Sequence, residues 1–472
     1  MIPTFAVVGH PNKGKSSIVA TLAEDEKIQI GPTPGTTRRA HAYTFTIDGE
    51  PQYVLVDTPG FQRAGEVFGW LQSRSTSASD RAGLVAQFVE AHRGDARFHD
   101  ECELLAPIVA GAGILYVVDG AKPYGPEYEL EMQILQWTGR PRMALINMIG
   151  TGDFREEWRQ GLDQYFSLVR VFDAVHADFE TRIGLLRAFG ELDEAWRPGI
   201  DRAVESLTAE RQRRRHRSAQ ALAACLIDAL QMMERADLPE GQAEATQEEQ
   251  TRRLEARLKD KLQQRLRQRE QRCRDAVQEI YRHESLIRQE QTSALLDEDL
   301  FAEQGWELFG LSHSQLAISG AVAGAVAGGG VDLLLGGASL LLGAGIGALI
   351  GGVGAWLGTE ELAKVKVLGQ SLGGRVLQLG PVTAPNFPWV LLGRGWVHHQ
   401  LVAERNHAYR EALSSALGQD QHLMDGIPDV LRNGLAKLFK TIRDGDVDGE
   451  VHQRLVVLIE QLLAEMPSRI SG

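Results

Sequence analysis

One stretch near the start of the chain restricts the fold more than any other. Residues 5–8 are apolar and typical of a short buried strand, residues 9–16 have the pattern GxxxxGK(S/T), and residues 18–22 form an apolar, helix-like stretch. Glycines let backbone N–H groups curl around phosphate oxygens, and the N-terminal end of the following helix adds positive potential. This spacing in a strand–loop–helix context predicts a phosphate-binding loop rather than a simple glycine turn.

Two side chains of this loop have a defined chemistry. Lys15 would reach the β- and γ-phosphates of a nucleotide, and Ser16 would offer its hydroxyl to Mg²⁺. The pattern by itself does not separate ATP from GTP. The predicted nucleotide contacts in this segment are Gly9, His10, Pro11, Asn12, Lys13, Gly14, Lys15, Ser16 and Ser17.

Two further motifs follow in the order expected of a nucleotide switch. Residues 34–38 are a polar Pro-Gly-Thr-Thr-Arg loop before a predicted strand at 40–47, and a second strand at 53–56 ends in Asp-Thr-Pro-Gly. Asp57 would orient the Mg²⁺ shell, and the N–H of Gly60 would sense the γ-phosphate. Thr37, with Thr36 as the alternative, would complete the Mg²⁺ sphere only when the γ-phosphate is present. The predicted metal residues are Ser16, Thr37 and Asp57, and the predicted catalytic residues are Lys15, Thr37 and Gly60.

On these motifs the chain resembles the Era/TrmE-like small GTPases of bacteria over residues 1–195. More narrowly, it resembles bacterial GTPases with a C-terminal domain of unknown function, through the Leu-Phe-Gly segment at 308–310, the glycine-rich region after it, and residues 386–392. The resemblance implies a Mg²⁺-dependent GTPase with a P-loop NTPase fold. Strand-like runs at 113–119, 143–147 and 169–172 alternate with helix-like runs and independently predict a doubly wound, mostly parallel α/β sheet. Phosphates should then lie at the carboxyl ends of its strands.

The base-reading motif of this group, Asn-Lys-x-Asp, is incomplete in the chain. Asn147 matches its first residue and should contact the base region. Met148 occupies the position of the Lys, and Gly150 occupies the position of the Asp. Because that Asp accepts two hydrogen bonds from guanine, its loss should cost about 1–3 kcal/mol of discrimination against adenine. Asp153 would replace it only if the loop bulges. The resemblance therefore implies GTP, and the residues leave ATP open.

The residue after Gly60 is Phe61, so the side-chain amide that orients the attacking water in many GTPases is missing from that position. We therefore expect slow hydrolysis. Some relatives use K⁺ instead, held by the Asn that matches Asn12, and the sequence leaves open whether Asn12 is such a ligand or a turn residue. Lys13 would either crowd this ion or bring its own charge close. Residues 61–99 form an unusually long segment after the Asp-Thr-Pro-Gly motif. This length predicts a mobile switch, a partner surface or an inert insertion.

Beyond residue 198 the strand patterns stop and an all-α region is expected. Leu254, Leu258, Leu262 and Leu266 recur at helical spacing, which predicts either a coiled-coil arm that pairs two chains or an amphipathic helix inside a bundle. The basic run at 213–217 suits lipid headgroups, RNA or a solvated helix face. The net charge of -13 argues against a nucleic-acid binder overall without excluding a local patch.

Residues 315–358 contain one charged residue, Asp332, and two rows of glycines spaced by four, one of which Ala355 continues. On a helix these rows form a stripe without side chains. The stripe lets the backbones of two helices approach closely, as in helix pairs within membranes. Such glycine density in water would cost up to about 1 kcal/mol per residue relative to alanine. The segment therefore predicts a glycine-zipper hairpin, either associated with a bilayer or buried in a helical bundle.

Together these patterns divide the chain into four parts. They are a GTPase domain at 1–195, an Arg-rich helical part at 196–300, the glycine-rich hairpin at 301–375 and a C-terminal helical region at 376–472. The absence of a signal-type start and of paired cysteines predicts a cytoplasmic protein, with the inner membrane as a second site if the hairpin inserts. A structural or scaffold protein that binds nucleotide and hardly hydrolyses it is the rival interpretation.

Overall fold

The structure is a computed structural model, and it describes residues 2–23, 37, 39–174, 177–237, 244–281, 299–301, 309, 311, 355–357, 366–367, 370–371, 376–403 and 423–465. The described residues divide into two compact units, one that ends at Gln212 and one that begins at Arg213. The first unit continues beyond residue 195, the predicted end of the domain, because Ile200, Ala203 and Val204 pack in the core of its sheet.

The first unit is built on a six-stranded sheet. Its strands are β1 (Thr4–Val8), β2 (His41–Ile47), β3 (Glu50–Asp57), β4 (Gly113–Asp119), β5 (Arg142–Asn147) and β6 (Leu168–Val171), in the order β2-β3-β1-β4-β5-β6. Only β2 is antiparallel to its neighbour, and the other pairs are parallel. This confirms the predicted doubly wound, mostly parallel fold. Since β1, β3, β4 and β5 run side by side, their carboxyl ends meet at one edge.

Helices cover both faces of this sheet. They are α1 (Lys15–Ala23), α2 (Ala64–Gln72), α3 (Arg81–His92), α4 (His99–Val109), α5 (Glu127–Trp137), α6 (Arg155–Leu162) and α7 (Phe179–Leu192). Every residue of β4 is buried, as expected for a strand covered on both sides. Two separate apolar cores, one on each face, hold the layers together.

The long segment after β3 forms helices that join the core of one face. Val67 and Leu71 of α2 and Val85 and Phe88 of α3 are buried there, and a short 3-10 turn, Ala96–Phe98, leads into α4. This segment therefore adds a helical layer beside the sheet.

The second unit is mainly helical. α8 (Arg197–Gln231) contains the boundary between the units, and it is followed by α9 (Glu244–Ile280), α10 (Phe387–Ala403), α11 (Asp429–Arg443) and α12 (Gly449–Glu465). The leucine stripe of α9 is buried inside this unit: Leu262, Leu266 and Cys273 belong to its main core. The packing favours the amphipathic bundle helix over the coiled-coil arm.

Short strands also occur in the second unit, where the sequence predicted none. β7 (Glu234–Asp237) and β8 (Ala355–Leu357) both pair with β11 (Val376–Leu379), and β9 (Lys366–Val367) pairs with β10 (Gln370–Ser371). The expectation of an all-α region beyond residue 198 was therefore wrong. Strands of two to four residues are too short to show the alternation of apolar and polar residues that predicts a strand. Ala355, placed in a helical glycine row from the sequence, lies in β8.

Most of the predicted glycine-rich hairpin lies outside the described residues, including the six glycines of its two rows, Gly320, Gly324, Gly328, Gly343, Gly347 and Gly351. Among the residues that the structure describes, no helix combines the length and the apolar character needed to cross a membrane.

Candidate functional site

The loop between β1 and α1 has a backbone that only particular residues adopt. Gly9 and Gly14 have φ angles of 143° and 84°, and Asn12 has a φ of 60°. A Cβ at Gly9 would lie 2.4 Å from the carbonyl oxygen of Val117, and one at Gly14 would lie 2.2 Å from Nδ2 of Asn147. Glycine permits these angles and approaches, and asparagine tolerates the left-handed region. The residue types therefore determine the shape of the loop.

Lys15 is folded against this loop and is 7% exposed. Its Nζ donates to the carbonyl oxygens of Gly9, at 3.2 Å, and His10, at 3.1 Å. Burial lowers the pKa of the Lys15 ammonium to about 8, against the opposing effect of Asp57. A bound phosphate would favour the charged form, because an anion near an ammonium raises its pKa.

Three predicted metal residues come together at the end of β3. The hydroxyls of Ser16 and Thr37 both donate to Oδ2 of Asp57, at 2.9 and 3.0 Å. Asp57 is 3% exposed. Thr36, the alternative to Thr37, lies outside the described residues. The structure thus joins the loop, the segment before β2 and the end of β3 through one carboxylate.

The other oxygen of this carboxylate provides a test for a metal ion. Oδ1 of Asp57 is buried and has no hydrogen-bond partner among the described residues. Burial raises the pKa of Asp57, although hydrogen bonds from Ser16 and Thr37 and the charge of Lys15 oppose the rise. A divalent cation would offset the burial of the carboxylate, and two hydroxyls with a carboxylate are the oxygen ligands that Mg²⁺ prefers. The residues therefore fit magnesium.

Gly60, the predicted sensor of the γ-phosphate, lies directly against the loop. A Cβ at this position would lie 2.6 Å from the backbone nitrogen of Pro11. Just before it, the hydroxyl of Thr58 donates to the carbonyl oxygen of Val7 at 2.8 Å. The chain after β3 is thus in contact with the loop, so the two segments can respond to the same ligand.

Asn147 holds two backbone segments together. Its Nδ2 donates to the carbonyl oxygen of Lys13 at 3.2 Å, and its Oδ1 accepts from the N–H of Ala174 at 3.1 Å. Both ends of the amide are therefore engaged by backbone. The side chain positions the loop against the segment after β6.

Asp153, the candidate substitute for the missing base-reading carboxylate, is engaged elsewhere. Nε and Nη2 of Arg155 donate to its two oxygens at 2.8 and 2.7 Å, and both side chains are exposed. The hydrogen bonds from Arg155 lower the pKa of Asp153 to about 2. A base would have to compete with this bidentate pair, and Gly150 itself has no side chain to offer.

Lys13 and His10 lie near two buried carboxylates, Asp119 and Glu131. Lys13 is buried, and its Nζ lies 5.4 Å from the ring centroid of Tyr128. Oε1 of Glu131 is 2.9 Å from Nδ1 of His10, while Oε2 accepts from the hydroxyl of Tyr116 at 2.9 Å. Burial lowers the pKa of Lys13, and the negative charges of Asp119 and Glu131 oppose this. The Lys13 ammonium thus packs towards α5.

Sequence reasoning missed two carboxylates of α4. Oε1 of Glu101 accepts from the N–H groups of Gln62 and Arg63 at 2.9 and 2.6 Å, and Oε2 of Glu103 accepts from the N–H of Ala40 at 2.9 Å. Glu101 is 1% exposed. Glu101 lies in the first turn of α4, where acidic residues usually reflect the helix dipole, and Glu103 lies just beyond that turn, so no local signal reveals these partners.

The residue after Gly60 turns away from the site. Phe61 is buried in the core beside the sheet, with Val67 and Leu71 of α2. Its ring anchors the start of the segment that Glu101 holds. The position therefore presents backbone, and no side-chain amide, to the carboxyl edge of the sheet.

The loop, the Asp57 cluster and the mostly parallel sheet define a P-loop GTPase domain. Residues 4–148 match the family model described as 50S ribosome-binding GTPase. Residues 159–456 match the model described as Domain of unknown function (DUF3482), and since this is more than half of the chain, the protein belongs to that family.

Curated relatives match a small part of the chain. GTPase Der of Desulfitobacterium hafniense (strain DSM 10664 / DCB-2) is 36% identical over 121 residues, which are 24% of this chain and 26% of the relative. GTPase Der of Heliobacterium modesticaldum is 38% identical over 94 residues, or 19% of this chain and 21% of the relative. The chain thus spans about a quarter, or less, of the length of these relatives.

Solved structures resemble the chain weakly. A variant of Era from Aquifex aeolicus bound to GDP.AlF4- is 19% identical, with a TM-score of 0.30, over 40% of this chain and 56% of that chain.

Proposed function

We propose that the protein is a Mg²⁺-dependent GTP-binding switch that hydrolyses GTP slowly. The observation that carries the proposal is the meeting of Ser16 and Thr37 on one oxygen of Asp57, while the other oxygen is buried and has no partner among the described residues. Lys15 and the loop backbone would bind the phosphates. Magnesium, held by Ser16, Thr37 and Asp57, would supply positive charge to the phosphoryl group during transfer.

The switch would work through two segments, one that meets Asp57 and one that meets the loop. Thr37 belongs to one and Gly60 to the other, and both are followed by backbone that hydrogen-bonds to α4. A ligand that moves either segment must therefore strain or release contacts to the same helix. We infer that α4 couples the segments, and that Glu101 and Glu103 are positioning residues rather than catalytic ones.

Slow hydrolysis follows from the chemistry of the position after Gly60. Phe61 is buried, so it cannot orient a water molecule.

Asn12 remains a proposed ligand for K⁺. Since Lys13 packs over Tyr128, its ammonium is directed away from solvent. Comparing turnover in KCl and NaCl at equal ionic strength tests the potassium part of the proposal, because equal rates would remove it.

Phosphate release and nucleotide competition test the proposal as a whole. We expect GTP to displace a fluorescent nucleotide from the purified chain more strongly than ATP, and phosphate release to be slow but above that of Lys15→Ala. The variant should bind nucleotide about 100-fold more weakly, because it loses a charge-assisted contact to the phosphates.

The other outcomes identify the rival functions. Binding without release above the Lys15→Ala level would favour a nucleotide-binding scaffold. Preference for ATP would favour an ATPase, which the missing carboxylate at Gly150 and the engaged Asp153 permit. Absence of Mg²⁺-dependent binding of either nucleotide would contradict all three.

Nucleotide binding should also take up protons through Lys15. At pH 8 about half of the Lys15 side chains are neutral before binding, since the pKa is about 8. A phosphate would raise that pKa, so we expect an uptake of ~0.5 proton at pH 8 and less at pH 7. Calorimetry in buffers with different ionisation enthalpies measures this uptake. An uptake that shrinks from pH 7 to pH 8, or that persists in Lys15→Arg, would assign the proton to another group.

We propose membrane association for the glycine-rich segment on sequence grounds alone, because its zipper lies outside the described residues. Co-sedimentation of the intact chain with liposomes, with and without nucleotide, tests it. Recovery in the soluble fraction in both states would remove this part of the proposal.

A further inference from the structure

A cavity of about 710 Å³ lies in the second unit, between the end of α8, β7 and α9. Four of its lining residues are arginines: Arg235 of β7, and Arg265, Arg269 and Arg272 of α9. The three on α9 are spaced by four and three residues, so they share one face of the helix. We call this cavity the arginine groove. Neither the phosphate loop nor the Asp57 cluster belongs to it.

The charges already present leave the groove positive. Nε of Arg269 pairs with Oδ2 of Asp228 at 2.6 Å, and Arg265 pairs with Glu234. Glu234 also pairs with Lys261 at 2.8 Å, so its charge is shared between two cations. Among the described residues, Asp228 and Glu234 are the carboxylates that pair with these four arginines.

The other two arginines have no acidic partner among the described residues. Nε of Arg235 donates to Oε1 of Gln378 at 2.8 Å, which leaves the guanidinium charge uncompensated. Arg272 is exposed and makes no ion pair within the part of the chain that the structure describes. Since the chain as a whole has a net charge of -13, this concentration of positive charge is local and opposite to the average.

The geometry points to a phosphate-bearing ligand, and we propose that the arginine groove binds one. Guanidinium groups are planar and present several donors, which suits bidentate contacts to phosphate oxygens better than to a monovalent halide. The volume falls within the range of small-molecule sites. Met232 and Met233 also line the groove and would contact the uncharged part of the ligand.

Inorganic pyrophosphate tests the proposal in the full-length chain. The chain should carry Lys15→Ala, which weakens the phosphate loop as a competing site and makes the result independent of the proposed GTPase function. We expect calorimetry to detect binding that weakens as ionic strength rises. Arg235→Gln and Arg272→Gln should each reduce affinity about tenfold, because each removes a charge-assisted hydrogen-bond donor that no carboxylate of the described residues neutralises.

Arg257→Gln is the matched control, since Arg257 is an exposed arginine of the same helix and does not line the groove. It should leave the affinity within about twofold of that of the Lys15→Ala chain, because a distant surface charge is screened. Equal losses in the control and the groove variants, or no binding of pyrophosphate, would overturn the proposal. Unchanged thermal unfolding of the variants separates lost binding from lost folding.

A second arm identifies the source of the phosphate. Vesicles of phosphatidylcholine with phosphatidic acid present the group on a lipid, whereas pyrophosphate presents it free. If the arginine groove binds lipid headgroups, the vesicles should compete with pyrophosphate, and Arg272→Gln should weaken both. Pyrophosphate binding that vesicles do not displace would assign the groove to a soluble ligand. Vesicle binding alone, unaffected by Arg235→Gln and Arg272→Gln, would count against the site.

Discussion

Asp57→Asn is expected to weaken Mg²⁺-dependent nucleotide binding by about 10–100-fold and, in the same protein, to raise the stability of the metal-free fold. The first effect follows because replacing a carboxylate in a metal shell usually costs affinity of this order. The second follows because burial disfavours the charged form of Asp57, whereas an amide still accepts the hydroxyls of Ser16 and Thr37. Calorimetry with Mg²⁺·GTP and denaturant unfolding in EDTA measure the two effects.

The stability effect has a definite pH dependence. The folded-state pKa of Asp57 is raised above its unfolded value of about 3.9, so the fold favours the protonated carboxyl. The charged carboxylate therefore does not destabilise the fold below the unfolded-state pKa. Its destabilising effect grows as pH rises towards the raised folded-state pKa and reaches its full size above that pKa. The stability gain of Asp57→Asn over the unchanged chain should follow the same course, near zero at the acidic end and largest at neutral pH.

Asp163→Asn is the matched control, because Asp163 is an exposed carboxylate of the same unit. It changes the net charge equally and should alter neither Mg²⁺-dependent binding nor the pH profile. A neutral-pH stability of Asp57→Asn equal to or below that of the unchanged chain in EDTA would contradict the account. So would full retention of Mg²⁺-dependent affinity.

The fold of the first unit could be predicted from local patterns because strands and helices alternate at a regular spacing. The loop from Gly9 to Ser16 has a fixed spacing and lies between a strand and a helix, so its residues and their neighbours at the end of β3 could be placed together. Parallel strands bring their carboxyl ends to one edge, which is where the Asp57 cluster lies.

Contacts between distant segments could not be predicted in the same way. Glu101 and Gln62 are 39 positions apart, and Glu103 and Ala40 are 63 apart. Such contacts depend on how α4 packs against the sheet, and nothing in the composition of its first two turns specifies a partner. Asn147 illustrates the same limit: the motif indicated a role near the base, whereas its hydrogen bonds to backbone are visible only in three dimensions.

The second unit was harder to anticipate because its strands are short and several of its polar residues are buried. Nε of Arg394 pairs with Oε1 of Glu270 at 2.6 Å, with both side chains almost fully buried. α10, which contains Arg394, is buried along nearly its whole length. A helix that is covered on all sides has no amphipathic stripe, so periodicity gives no indication of its place.

Glu101→Ala should reduce the preference for a GTP analogue over GDP by about tenfold while leaving GDP affinity within about twofold. Removing the side chain leaves the N–H groups of Gln62 and Arg63 without their charged acceptor, and hydrogen bonds to charged groups contribute about 1.5–3 kcal/mol each. The segment after Gly60 then loses the contact that holds it near the loop. GDP has no γ-phosphate and is bound by the loop itself, so its affinity should change little.

Four further variants separate positioning from general destabilisation. Glu101→Gln keeps an acceptor oxygen and should restore much of the preference for the analogue, whereas Asp100→Ala changes the charge of the same helical turn and should have no effect. If α4 couples the two segments, the combined effect of Glu101→Ala and Glu103→Ala should differ from the sum of the single effects by at least 0.5 kcal/mol. Additive effects would mean that each carboxylate holds its own segment independently, and the two nucleotide-sensing segments would then need another connection.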